Sequence, residues 1–278
     1  MWAVDQPEFD AIETFSTCIS RVRNVDLKGR LVGIKQAIGD ASEAYTENAL
    51  SETLNLTPVL TDVGAVTARE MVKVYDQRMA GKEGPGRAIY DQIKLLPAGD
   101  RCPFCDQRNV STLDHILPKT LYPQLAVAPL NLVGACMECN KIKLDLAPQS
   151  PEGVVLHPYF DDITAGLWLV ADVLEQLPCA IMFRVAPPAE WSEALASRVN
   201  MQFSMLKLGK LYASEAAREI SNIRYDLGLH FVSGGVGSVR AELRRQWESR
   251  RANRINSWQT AFYQAISHSE WFCAGGFQ

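Results

Sequence analysis

Two Cys-x-x-Cys pairs, Cys102-Pro-Phe-Cys105 and Cys136-Met-Glu-Cys139, carry the most specific chemistry in this chain. Each pair offers two sulfurs from one tight turn. Two such turns complete the tetrahedral ligand set of a structural zinc ion. The 30 residues between the pairs exceed a simple zinc ribbon, so they must hold an inserted element such as a hairpin. Inside that insert stand Asp114-His115 and Asn131, and after it come Asn140 and Lys143. A histidine with an ordinary pKa near 6.5 can take a proton at neutral pH. An Asp carboxylate with an Asn carbonyl is a hard-oxygen donor pair suited to Mg²⁺ or Mn²⁺. A cation held by so few protein ligands leaves places for a phosphate oxygen and a water, as phosphodiester hydrolysis requires.

Each of these residues also has a plainer reading. Asp114-His115 can be an ordinary turn with a solvated acid. Asn131 reads as a hydrogen-bonding brace. Asn140 suits a helix N-cap, and Lys143 can simply face solvent.

The order Asp-His, then Asn-Leu, then Cys-x-x-Cys-Asn-x-x-Lys resembles the HNH endonuclease family in its zinc-stapled form, with Asn in the last motif position. The likeness covers about 45 residues. It implies a ββα-metal core, a hairpin packed on one helix around a divalent cation. By this resemblance His115 matches the general base, and Asp114 and Asn140 match the ligands of a catalytic Mg²⁺ or Mn²⁺. Asn131 matches the residue that orients the base. Lys143, with Lys119 near it, is the expected phosphate contact. Cys102, Cys105, Cys136 and Cys139 are the expected zinc ligands. The implied activity is hydrolysis of DNA, with RNA left open. More loosely, the layout and the phrase Gly86-Arg87-x-Ile89-Tyr90 are similar to HNH effectors of bacterial antiphage systems of the Septu type. That likeness implies an ATPase partner. A zinc-dependent module that binds without cutting, and a solitary restriction or repair nuclease, stay open beside it.

The elements that must position these residues are mostly helical. Phe9, Ile12, Phe15, Ile19 and Val22, then Leu27, Leu31, Ile34 and Ile38, recur at helical spacing over residues 8–50. Thr67-x-x-Glu70 is a capping box opening a helix that the run GKEGPG ends. A short helix over 87–96 leads into the first cysteine pair. Leu113 to Pro118 reads as a strand. Leu167 to Leu174 and Cys179 to Val185 read as a hairpin. Helices are then expected over 191–208, 213–229 and 238–267, with SGGVGS at 233–238 as a loop or hinge. The expected fold class is α+β, in three regions: helical 1–97, the zinc module 98–160, and a mainly helical 161–278.

Composition is that of a globular chain, 47% hydrophobic and 22% charged, with net charge −4. A protein that coats duplex DNA is usually basic, so any nucleic-acid contact must use a local patch. The first residues lack the basic and apolar regions of a secretory signal, and no apolar run approaches membrane-spanning length. The expected location is the cytoplasm, where paired cysteines more often bind metal than form disulfides. The remaining candidates read as structural. His157 packs the segment after the motif helix, and His230 and His268 sit near helix ends. Cys18 and Cys179 are small core residues, and Cys273 is a free thiol near the tail. The series Arg240, Arg244, Arg245, Arg250, Arg251 and Arg254 either tracks phosphates or forms a solvated or partner face. Trp247, Trp258 and Phe262 are expected on one helix, as its apolar stripe.

Overall fold

In the computed structural model, which describes residues 2–143 and 147–278, the chain divides into two compact units, Trp2–Asp162 and Ile163–Gln278. The division lies two residues from the boundary expected at 160. The boundary expected at 97 falls inside the first unit, because the N-terminal helices and the cysteine module share one core.

Helices α1 (Ala11–Ile19), α2 (Val25–Gly33) and α3 (Lys35–Leu50) occupy the stretch read as helical from its spacing. The breaks between them follow local chemistry. Asp10 and Asn24 accept hydrogen bonds from the N3 amides of Glu13 and Leu27, starting α1 and α2 as N-caps. Ile34 leaves the helical region at φ −102°, ψ 4° and separates α2 from α3. Strands β1 (Asp62–Val63) and β2 (Val66–Thr67) form a minimal hairpin. Helix α4 (Ala68–Lys73) opens on the expected capping box and runs on as a π-helical turn, Val74–Met79. The loop that follows returns the chain to that turn, with the Gly86 amide donating to the Arg78 carbonyl at 2.9 Å. A Cβ on Gly86 would lie 2.6 Å from the Cys18 sulfur, so only glycine lets helix α5 (Arg87–Leu95) begin this close to α1.

Strands β3 (Thr112–His115) and β4 (Leu132–Ala135) pair antiparallel, Thr112 with Ala135 through His115 with Leu132. Helix α6 (Met137–Lys143) follows at once. A Cβ on Gly134 would lie 3.0 Å from the Lys94 carbonyl and the Pro97 ring, so glycine allows the end of α5 to approach the hairpin. Phe15, Leu31, Ile38, Met79 and Ile93 from the helices share one buried cluster with Leu113 and Leu132 of the hairpin. Each such side chain contributes about 1.5–3 kcal/mol on burial. The fold is α+β, with small antiparallel sheets set among helices.

The second unit begins with the expected hairpin, β5 (Leu169–Leu174) paired with β6 (Ala180–Val185). Helix α7 (Glu193–Met205) follows, capped by Ser192. Helix α8 (Leu208–Asn253) is broken at Gly234 and Gly235, whose dihedrals are non-helical. His230 Nδ1 lies 3.0 Å from Ser238 Oγ. Eight residues of straight helix would separate them by about 12 Å, so the chain reverses in the SGGVGS loop and α8 is a helical hairpin. The helix expected over 238–267 is divided in two. Arg254 turns extended, Ser257 caps a new start, and helix α9 is Trp258–His268. Trp258 and Phe262 therefore belong to α9 and Trp247 to α8, which corrects the single stripe read from spacing. Asn256 holds this break in place, accepting from the amides of Trp168 and Leu169 and donating to the Gly166 carbonyl.

Arg30 makes a two-point ion pair with Glu70, the residue of the capping box, at 2.8 and 2.9 Å. That pairing holds the Glu70 carboxyl at about 2, below its ordinary 4.5. A depressed carboxyl stabilises the fold above its unfolded pKa and loses that contribution as pH falls through the folded one. The wild type should exceed Glu70→Gln in urea stability by about 1 kcal/mol at pH 7, because both side chains are partly exposed and screened. The gap should close between pH 4.5 and 2. A gap that does not change over this range would show that the pair does not link α2 to α4.

Candidate metal centre and cleft

The two cysteine turns meet as their spacing predicts. Cys102, Cys105, Cys136 and Cys139 are buried, and their sulfurs lie within 4.8 Å of one another. Cys105 and Cys136 are 3.9 Å apart, close to the roughly 3.8 Å between sulfurs bound tetrahedrally at 2.3 Å. That distance is far beyond a disulfide bond, and all four are free thiols. The amide of Arg108 points at the Cys105 sulfur at 3.5 Å, and that of Cys139 at the Cys136 sulfur at 3.4 Å. Backbone donors aimed at sulfur stabilise thiolates. The first turn is closed by Cys102 donating to the Arg108 carbonyl and by Asp106 in a left-handed conformation. The four buried cysteines can hold a metal ion such as zinc. Among the described residues, no backbone amide points at the sulfurs of the other three. Burial pushes the Cys18 thiol up to about 12 and the Cys179 thiol up to about 11, which leaves both protonated and unreactive. Cys273 is buried against the Ile266 carbonyl.

Asp114 and His115 end β3 and both border one open cleft of about 350 Å³, although successive residues of a regular strand face opposite ways. Strand pairing stops at His115 and the chain turns at Pro118. Asn140, Met137 and Lys141 of α6 and Lys119 complete the wall. His115 Nε2 lies 2.9 Å from the Ala126 carbonyl. A carbonyl only accepts, so Nε2 carries the proton and Nδ1 keeps its lone pair. Burial pushes the imidazole pKa down to about 3, and the ring is neutral. The Tyr75 ring fixes its plane by an edge contact at 4.4 Å.

Asp114 is 4% exposed. One of its oxygens sits 3.4 Å from the Lys143 ammonium, and Oδ2 is buried with no partner among the described residues. Burial pushes the carboxyl up to about 6 against the pull of Lys143. An orphaned buried carboxylate oxygen is costly unless a cation answers it.

The remaining expected residues sort by position. Asn131 is the brace. Its Oδ1 accepts from the Leu117 amide at 2.8 Å, and its Nδ2 donates to the carbonyls of Leu117 and Leu125. Asn140 lies within α6 and does not cap it; its Nδ2 reaches the Leu113 carbonyl at 3.4 Å. Lys143, expected at phosphate, is instead 3% exposed and donates to the carbonyls of His115 and Ile116 as well as pairing with Asp114. The α6 lysine on the cleft is Lys141, which the motif pattern missed; its place one residue after Asn140 was the only signal. Lys119 borders the cleft as expected, 4.9 Å over the Tyr75 ring and 3.8 Å from Asp76.

His157 is buried, accepting from the Tyr159 amide at Nδ1 and facing Tyr45 Oη and the Leu130 carbonyl at Nε2. It pins the segment after α6 and stands apart from the cleft. His230 and His268 contact Ser238 and the Gln264 carbonyl. The arginine series is largely engaged within its own unit. Arg240 pairs with Glu270 and Arg245 with Glu242, while Arg250 lies over Tyr263 and Arg251 over Trp247.

The chain is 30% identical to Protein ea31 of Escherichia phage lambda over 234 residues, 79% of each chain. It belongs to the ea31 family. No family model matches the chain, and no solved structure does. Among the described residues of this ea31 relative, no helix is long and apolar enough to cross a membrane.

Purified protein should carry one zinc per chain by elemental analysis. Cys102→Ser should lose that metal and the cooperative melting of the first unit, since zinc supplies roughly 10–16 kcal/mol in small zinc domains. A variant with an unaltered melting curve would remove the metal from the fold. Asn131→Ala should lower stability by about 3 kcal/mol, because it strands the Leu117 amide and two carbonyls in the core. Urea unfolding measures this, and a loss under about 0.5 kcal/mol would deny Asn131 the bracing role.

Proposed function

We propose that this protein is a metal-dependent endonuclease of the HNH type that cuts DNA, with a structural zinc at the four cysteines. The observation that carries this reading is the meeting of Asp114, His115 and Asn140 on one cleft. The sequence order of the motif, the hairpin-and-helix arrangement of β3, β4 and α6, and the sulfur cluster beside it support it further. Four thiols favour zinc, whereas the oxygen donors of Asp114 and Asn140 favour Mg²⁺ or Mn²⁺. The unpartnered Oδ2 of Asp114 fits a cation there. Such a cation, when bound, supplies positive charge against the scissile phosphate and the leaving oxygen.

The chain's own residues then have defined tasks. His115 Nδ1 accepts the proton of the attacking water. The Ala126 carbonyl at Nε2 steadies the positive charge that develops on the ring. Asn131 and Tyr75 hold the loop and the ring plane, so the lone pair keeps one direction. Lys119 and Lys141 bring cationic charge to the cleft for the phosphates on either side of the cut. Four free thiols suit a reducing compartment such as the cytoplasm. The likeness to Septu-type effectors, which rests on sequence layout, extends the reading to a nuclease recruited by an ATPase in antiphage defence.

Supercoiled plasmid with Mg²⁺ or Mn²⁺ tests the reading. The wild type should nick or linearise it, and His115→Ala should slow cutting by about 10²–10⁴-fold while zinc stays bound and the protein still melts cooperatively, at a somewhat lower temperature. Full-rate cutting by the variant would remove His115 as the base. No cutting by the wild type with either cation would overturn the enzyme reading in favour of a binding module.

A further inference from the structure

A second groove, in the same unit as the cleft, is lined by Arg21, Arg23, Arg78, Asn24, Val22 and Leu27 and encloses about 420 Å³. Arg21 and Arg23 are exposed, and Arg78 is half-buried. None of the three guanidiniums has a carboxylate partner among the described residues; Arg78 is held by the Arg21 carbonyl at 3.3 Å. Asp26 and Glu70 are already paired with Arg30, and Asp76 on the Arg78 turn with Lys119. In a chain of net charge −4, this is a local concentration of unanswered positive charge. The arginine series of residues 240–254 contrasts with it, because four of its six members are spent on Glu270, Glu242, Tyr263 and Trp247.

The groove is also tied to the cleft. Arg78 lies on the π-helical turn Val74–Met79. The same turn presents Tyr75 to the His115 ring and Asp76 to Lys119. Three residues advance a helical segment by only about 4.5 Å along its axis, so Tyr75 and Arg78 leave the chain close together. A strand of nucleic acid advances only about 3.4 Å per phosphate along the axis. A backbone whose scissile phosphate lies at His115 thus needs only a few more nucleotides to meet Arg78, and after it Arg21 and Arg23. Guanidinium forks match phosphate oxygens two at a time, which is the geometry such a groove serves best.

We infer that the groove of Arg21, Arg23 and Arg78 binds the phosphodiester backbone of DNA flanking the cut and so sets the register of the strand in the His115 cleft. The inference rests on the nuclease reading and adds to it a backbone-binding site outside the HNH motif. It uses no base contacts, so it grips without reading sequence.

The test is binding of a fluorescent 20-base-pair DNA duplex to the full chain, followed by anisotropy over a salt series without added divalent cation. Arg21→Ala/Arg23→Ala should bind at least about tenfold more weakly, and its slope of log affinity against log salt should fall by about two. Arg244→Ala/Arg245→Ala removes the same charge from the other unit and should bind as the wild type does. Unchanged affinity and slope in Arg21→Ala/Arg23→Ala would overturn the groove and leave the nuclease reading standing. An equal loss in Arg244→Ala/Arg245→Ala would also overturn it, by tracing the effect to net charge. A wild type that neither binds the duplex nor cuts plasmid would overturn both. Arg21 and Arg23 are exposed and their side chains make no hydrogen bond or ion pair among the described residues, so matching melting curves are expected.

Discussion

Four sulfurs crowded within 4.8 Å constrain everything around the cleft. They join a knuckle at residues 102–105 to the first turn of α6, across an insert that folds as β3 and β4. Fixing both ends of that insert sets the start of α6 against the start of β3, and the helix then runs back toward the end of that strand. This is how Asn140 comes to face the same cleft as Asp114 and His115. Negative sulfurs left unanswered in a buried site would repel one another, so the arrangement suits a cation at its centre.

The rest of the site is held by buried polar groups. Asn131 satisfies backbone groups on the loop that bears His115, and His157 does the same for the segment after α6. Lys143 closes the other side, spanning Asp114 and the carbonyls of His115 and Ile116. Groups of this kind are costly when half satisfied and rigid when fully satisfied. Oδ2 of Asp114 is a buried oxygen with no partner among the described residues, and Asp114 borders the cleft.

The helices of the first unit belong to the site as much as the cysteine module does. Tyr75, Asp76 and Arg78 reach the hairpin, Lys119 and the arginine groove from a single turn. That turn is positioned by the capping box of α4 and by the glycine contact of Gly86 with Cys18. A boundary drawn at residue 97 would have separated these residues from the cleft they border or support.

Spacing and residue type alone determined the cysteine cluster, the capping box at Thr67, the hairpin over 169–185 and the bracing role of Asn131. All of these depend on contacts between residues close in sequence or on ligand geometry with few solutions. Tertiary structure decided the rest. Lys143 turned inward because a buried carboxylate within its reach outweighed solvation of its ammonium. The long C-terminal helix broke at Arg254 because Asn256 answers amides of Trp168 and Leu169, far away in sequence. The arginine groove joins residues 21–23 to residue 78, and no local pattern signals which guanidiniums will lack an acid. Burial and long-range partners, absent from any sequence window, set which charges are satisfied and which remain open to a ligand.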